Sequence, residues 1–181
     1  MTLVILDRDG VINHDSINYI KSPDEWLPIE GALQAIARLN HAGFRVVIAT
    51  NQSGLSRKLY DIEMLNRIHE KMQRQLSEVG GTVEAVFFCP HSEKDHCECR
   101  KPKPGMLLEI GERLRVSMEG VPVIGDSPRD LEAARAAGAR PILVRTGNGA
   151  ETEAQLADEK VEVFDNLPAA VNALIAERAS S

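Results

Sequence analysis

Asp7 and Asp9 stand two residues apart at the end of a short apolar run, LVIL, and Gly10 follows them. Two carboxylates this close repel each other, and a divalent cation that takes oxygen ligands relieves the repulsion. A third acid, Asp126, ends another apolar run, VPVIG, and Asp130 lies one helical turn beyond, able to orient Asp126 or a water on the metal. Thr50 and Asn51 end a third run, VVIA, and offer a hydroxyl, an amide and backbone N–H groups to phosphate oxygens. Arg100, Lys101 and Lys103 are cations clustered in an acidic chain. Taken alone, each acid reads equally well as a turn residue or helix cap, and a basic run is usually a solvated face. Three strand ends carrying such residues together favour an edge that binds metal and phosphate.

The chain's three cysteines fall between Cys89 and Cys99, in CPHSEKDHCEC. A disulfide would leave one cysteine over and needs an oxidising compartment. Cys89, His91, Cys97 and Cys99 give C-x-H-x5-C-x-C, and three thiolates with one imidazole suit a tetrahedral structural Zn²⁺. His96 is a spare donor that in principle replaces His91. The loop is too short and polar to build a core, so metal binding would supply its local folding energy and aim the adjacent Arg100 and Lys101.

These residues need elements to position them. Leu3–Leu6, Val46–Thr50, Val83–Phe88, Val121–Asp126 and Pro141–Arg145 read as buried strands, with a short sixth over Val161–Phe164. Helical spacing or boundary residues mark Gly31–Ala42, Asp61–Val79 with Asp61 as N-cap, a helix opening at Pro104, Pro128–Ala137 and Pro168–Arg178. Met106, Leu107, Leu108, Ile110 and Leu114 form the expected core face of the helix after Pro104. Residues 147–160 read as a polar loop or weak helix. Strands alternating with helices predict a parallel sheet covered on both faces, with ligands outside the carboxyl ends of its strands. The 181 residues read as one domain, 1–181, with 43% hydrophobic and 27% charged residues. A net charge of -6 argues against a general nucleic-acid or membrane-surface binder. The N-terminus reads as a strand without signal-peptide features, so the expected compartment is the cytoplasm.

DRDG, ATNQSG, RKPKPG and GDSPRD occur in the order of the four motifs of haloacid-dehalogenase-like (HAD) phosphatases, and the chain resembles that superfamily at all four. End to end it is similar to the histidinol-phosphatase-type subgroup, which has a small or absent cap and a zinc loop. The segments that carry this likeness are LDRDGVIN, DSINYIKSPDEW, ATNQSGLSR, CPHSEKDHCECRKPKPGM, GDSPRDLEAARAAGA and LVRTGNG. Asn148 departs from the LVRTGKG usual among the heptose enzymes of this subgroup, and SRK at Ser56–Lys58 departs from their ARG.

The resemblance implies a three-layer Rossmann-like parallel sheet with a minimal cap. It implies a Mg²⁺-dependent phosphomonoesterase that removes the 7-phosphate of D-glycero-D-manno-heptose 1,7-bisphosphate, with histidinol phosphate as the alternative substrate. Asp7 would be the nucleophile, forming an aspartyl-phosphate, and Asp9 the general acid and base. Asp7, the Asp9 carbonyl and Asp126 would hold Mg²⁺, supported by Gly10 and Asp130. Thr50 and Lys101 would hold phosphoryl oxygens, Asn51 and Arg100 would bind phosphate or substrate, and Asp15 to Tyr19 would meet the sugar. The C-x-C-R-K-P pattern of the subgroup assigns the motif lysine to Lys101 and leaves Lys103 on the surface. The implied setting is carbohydrate metabolism, such as heptose supply for lipopolysaccharide. The expected enzyme is a monomer whose partner is a small sugar phosphate, with neither nucleic acid nor membrane.

Overall fold

The computed structural model describes residues 2–156 and 160–180. Its centre is strand β1 (Thr2–Leu6), whose side chains alternate between two cores. Val4 and Leu6 join one core with Ile36, Leu39, Ile68, Met72 and Val171. Leu3 and Ile5 join the other with Met106, Leu107, Ile110, Ala133 and Ala134. Because both faces are buried, the strand is continuously apolar, as expected for a parallel sheet between helix layers.

The sheet is completed by β2 (Phe44–Asn51), β3 (Ala85–Cys89), β4 (Pro122–Gly125), β5 (Arg140–Val144) and β6 (Glu162–Phe164), in the order β3-β2-β1-β4-β5-β6, with all pairings parallel. Helices α1 (Ala32–His41), α2 (Ile62–Glu78) and α6 (Leu167–Ala179) contribute to the first core, and α3 (Gly105–Leu114) and α4 (Pro128–Ala136) to the second. A short α5 (Gly149–Gln155) packs near β5.

The direction of winding reverses at β1. The chain leaves β1 towards β2 and β3, then returns to place β4 on the other side of β1. Leu6 pairs with Ile48 of β2 and with Ile124 of β4. The residues that follow these three strands therefore meet at one crevice, the place where open α/β sheets bind ligands. Asp7 is fixed there by its N–H donating to Ile124 O at 2.9 Å.

Local signals account for the helix ends. The Asp61 side chain accepts from Met64 N at 2.8 Å and caps α2, and Asn166 accepts from Ala169 N at 3.0 Å and caps α6. On α2, Leu65, Ile68, Met72 and Leu76 form the buried stripe. The expected core face of α3 is corrected at one residue. Met106, Leu107 and Ile110 are buried, but Leu108 is 49% exposed, because it falls on the turn of the helix that faces away from the sheet. The expected weak helix over 147–160 is α5, and the part at 157–159 lies outside the described residues. No helix among the described residues is long and apolar enough to cross a membrane.

Candidate active site

The crevice is an acidic floor with one lysine set into it. Lys101 Nζ lies 3.1 Å from Asp7 Oδ1 and 2.6 Å from Asp130 Oδ1, and donates to Ala49 O at 2.8 Å. Its side chain is 4% exposed, so this is a buried ionic network whose three donor directions are all matched. Burial opposes the lysine's charge, but Asp130 and Asp7 hold its pKa above the ordinary range. Asp130 is likewise held low by Lys101 and Ser127 against the effect of its burial. Its Oδ2 accepts from the backbone N–H groups of Asp126 and Ser127 and from Ser127 Oγ, closing a capping box at the start of α4. Asp130 thus spends both oxygens on protein donors and orients Lys101.

The other acids differ. Burial first, then the charge of Asp130, pushes the Asp7 pKa well above the ordinary carboxylate range, and Asp126 and Asp9 add to the rise against the pull of Lys101. Burial, then Asp130, pushes Asp126 up to about 7. Asp126 Oδ2 accepts from Asn148 N at 2.8 Å, and among the described residues none donates to its Oδ1 or to Asp7 Oδ2. Ligand atoms of Asp7, Asp126 and Asp130 lie within 4.8 Å of one another. Oxygen donors that are buried, crowded and partly unpaired fit a hard divalent cation. Gly10 has a φ of 83°, and a Cβ there would stand 2.0 Å from Asp126 Oδ2, so only glycine lets the first acidic loop pass this close.

Thr50 and Asp9 share a bracket. Gln52 Nε2 donates to Thr50 Oγ1 and to Asp9 Oδ2, each at 3.0 Å, and Tyr60 Oη donates to Gln52 Oε1 at 2.6 Å. The Thr50 hydroxyl oxygen is used as an acceptor, which leaves its proton for a ligand. Asn51 lines the cleft, and its amide also donates to Lys101 O at 3.0 Å and accepts from Lys101 N at 3.1 Å, so it fastens the lysine's backbone to the end of β2.

Cys89, His91, Cys97 and Cys99 converge beyond β3. His91 Nδ1 lies 3.6 Å from Cys89 Sγ and 3.5 Å from Cys99 Sγ, and Cys97 Sγ lies 3.6 Å from Cys89 Sγ and 3.7 Å from Cys99 Sγ. Tetrahedral sulfur ligands at ordinary Zn–S distances stand about 3.7 Å apart. The Cys89–Cys99 pair is closer, at 2.9 Å, and all three cysteines are free. His91 takes the fourth place in this cluster, and His96 is outside it. Arg100 follows, with Nη2 donating to Glu93 Oε1 at 2.5 Å and Nη1 to His91 O at 3.3 Å. Arg57 reaches the same Glu93 at 3.3 Å. Lys103 is exposed and pairs with Glu98.

A cleft of about 230 Å³ is lined by Asp7, Asp9, Thr50, Lys101, Asp126 and Asp130, and also by Asp15, Ile17, Tyr19, Arg129 and Asn148. Asn148 donates weakly to Asp15 Oδ2 at 3.3 Å, and Thr146 Oγ1 donates to Gly10 O at 2.6 Å. This strap after β5 was legible only as a motif likeness, since nothing local in RTGN signals a contact with residues more than a hundred positions earlier. The roles of Gln52, Tyr60, Glu93 and Arg129 were not legible either: three of them stand inside the motif segments, but nothing local marked their partners.

The fold and site together define a hydrolase of the HAD type: a doubly wound sheet whose adjoining strand ends carry a carboxylate pair, a hydroxyl, a buried lysine and a further acid. A HAD-hydrolase-like family model matches residues 98–170, and a polynucleotide kinase 3 phosphatase model matches residues 3–130. The D-glycero-beta-D-manno-heptose-1,7-bisphosphate 7-phosphatase of Bordetella bronchiseptica is 54% identical, over 98% of this chain and 99% of that one. Its counterpart from Pseudomonas aeruginosa is 49% identical, over 96% and 98%. A crystal structure of the B. bronchiseptica D,D-heptose 1,7-bisphosphate phosphatase, complexed with magnesium and phosphate, superposes with a TM-score of 0.96 over 98% of this chain and 99% of that one, at 54% identity. The corresponding enzyme from Burkholderia thailandensis gives a TM-score of 0.78 at 46% identity, over 97% and 99%. The chain belongs to the HAD-like family of D-glycero-beta-D-manno-heptose-1,7-bisphosphate 7-phosphatases.

Proposed function

We propose that this protein is a Mg²⁺-dependent phosphomonoesterase that removes the 7-phosphate of D-glycero-β-D-manno-heptose 1,7-bisphosphate. The observation that carries the reading is the buried Lys101 beside Asp7 in a cleft that Arg57, Arg100 and Arg129 also line. One cationic centre suits the phosphoryl group that reacts, and the arginines suit a second phosphate on the same sugar. Glu93 is already paired with Arg100 and Arg57, so it offers little to the amino group of histidinol phosphate.

Asp7 attacks phosphorus in line and takes the phosphoryl group as an aspartyl-phosphate. Lys101 and the Thr50 hydroxyl hold equatorial oxygens, where charge is spread in the transition state. Asp130 keeps the lysine aimed. Asp9 gives a proton to the leaving sugar oxygen and later takes one from the attacking water. Asp7, the Asp9 carbonyl and Asp126 would hold Mg²⁺, which neutralises charge so that a carboxylate and a phosphate can approach each other. Asp15 and Tyr19 stand where the sugar enters. Cys89, His91, Cys97 and Cys99 would hold a structural Zn²⁺, which would fix the loop carrying Arg100 and Lys101. The protein acts as a monomer in the cytoplasm on a small sugar phosphate. Its net charge of -6 disfavours polynucleotides, despite the polynucleotide phosphatase match.

The test is phosphate release with Mg²⁺ from the heptose 1,7-bisphosphate, histidinol phosphate and a 3′-phosphorylated oligonucleotide, side by side. Preference for the bisphosphate is expected. A preference for either of the others would sink the substrate assignment while leaving the site chemistry in place.

A further inference from the structure

Asp9 is clamped on both carboxylate oxygens. Oδ2 is held by Gln52, and Oδ1 accepts from Arg8 Nη2 at 2.8 Å, Arg8 Nε at 3.0 Å and Asn13 Nδ2 at 2.9 Å. Arg8 is fully buried, which is rare for a guanidinium and demands partners for its donors. Two nitrogens serve Asp9. The third, Nη1, lies 3.1 Å from Nε2 of His69. His69 sits on the buried stripe of α2 and is 8% exposed.

A guanidinium can only donate, so Nε2 must present its lone pair and the imidazole must be neutral with its proton on Nδ1. Burial, then the charge of Arg8, draws the His69 pKa down to about 3, which agrees with that tautomer. A planar guanidinium bonded on opposite sides by a carboxylate and an imidazole has its plane fixed. The line His69–Arg8–Asp9 therefore runs from the buried stripe of α2 to the carboxyl group that is read as the general acid.

We propose that His69 is a positioning residue for the reaction: it sets the orientation of Arg8 and, through it, of the Asp9 carboxyl. This rests on the reading of Asp9 as general acid. The consequence is selective. A misaimed acid slows the expulsion of a sugar alkoxide, which needs the proton, far more than that of p-nitrophenolate, which leaves readily without one. Loss of packing alone would slow both equally.

The experiment compares kcat/KM, which reports events up to aspartyl-phosphate formation, for an alkyl phosphate (the heptose bisphosphate, or histidinol phosphate if that is hydrolysed faster) and for p-nitrophenyl phosphate. His69→Leu removes the acceptor, His69→Met does so with a more adaptable side chain if the leucine variant does not fold, and His69→Gln keeps an acceptor. The acceptor-less variant is expected to lose about 10- to 100-fold on the alkyl phosphate, a part of what a positioned acid supplies, and only a few-fold on the aryl one. His69→Gln is expected to recover most of the alkyl activity. Equal losses on both substrates, or no loss on either, would overturn the proposal. Asp9→Asn is measured in parallel. If it too fails to discriminate between leaving groups, the reading of Asp9 is what has failed. If it discriminates and the His69 variants do not, the proposal alone is wrong.

Discussion

Lys101 and His69 are both buried nitrogen bases, and the site uses them in opposite charge states. Lys101 is kept charged by two carboxylates, and His69 is kept neutral by burial beside an arginine. Lys101→Met would leave Asp7 and Asp130 facing each other without a counter-charge. It is expected to lower kcat/KM about a thousandfold and, in urea denaturation without Mg²⁺, to cost about 3–5 kcal/mol, the usual cost of breaking a buried pair. The folded-state pKa of His69 is about 3, below the ordinary value of 6.5, so folding favours the neutral ring. That contribution is full above pH 6.5 and is lost as pH falls towards 3, with a slope of about 1.4 kcal/mol per pH unit. Over that window, stability measured by denaturation is expected to fall less steeply in His69→Gln than in the parent. The sequence displayed Asp7, Asp9, Thr50, Lys101 and Asp126, because each ends a strand or follows a metal-type motif. It did not display the role of Arg8. Its partner His69 lies 61 residues later on α2, and only folding shows that a charge inside DRDG turns inward.

At the scale of elements, the loop between β3 and α3 has no apolar core of its own, and its four-donor cluster lies next to the cations of the cleft. Removal of one ligand by Cys99→Ser is expected to abolish stoichiometric zinc in metal analysis and to lower phosphatase activity tenfold or more, while the far-UV circular dichroism of the sheet and helices is retained. Zinc-free protein with full activity would show that the loop orders itself. The capping box at α4 ties that helix to the same network through Asp130. Ser127→Ala is expected to cost about 1 kcal/mol and to weaken Lys101 placement through Asp130. Strand and helix positions were legible because buried parallel strands are continuously apolar and their helices carry caps and glycine stops. The outward turn of Leu108 was not, because a helix packed at the edge of its core allows one more apolar residue than it buries. Nor did periodicity show the strap from Thr146 to Asn148, whose hydrogen bonds are made by loop atoms.

At the scale of the whole molecule, the order β3-β2-β1-β4-β5-β6 matters most for function. It places the ends of β2, β1 and β4 side by side and so converts three separate sequence motifs into one cleft. Alternation of strands and helices predicted the class of sheet but not the order of its strands, which depends on which crossover returns to the other side of β1. The central claim is that this crevice makes Asp7 a nucleophile. It is tested most directly by acid-quenching the enzyme during turnover of the heptose bisphosphate with Mg²⁺ and locating the phosphoryl group by peptide mass spectrometry. The expected result is a phosphoryl group on the peptide holding Asp7, appearing and decaying at rates that match phosphate release, and absent together with activity in Asp7→Asn. Phosphate release at the normal rate with no modified peptide, or with the group on another residue, would contradict it.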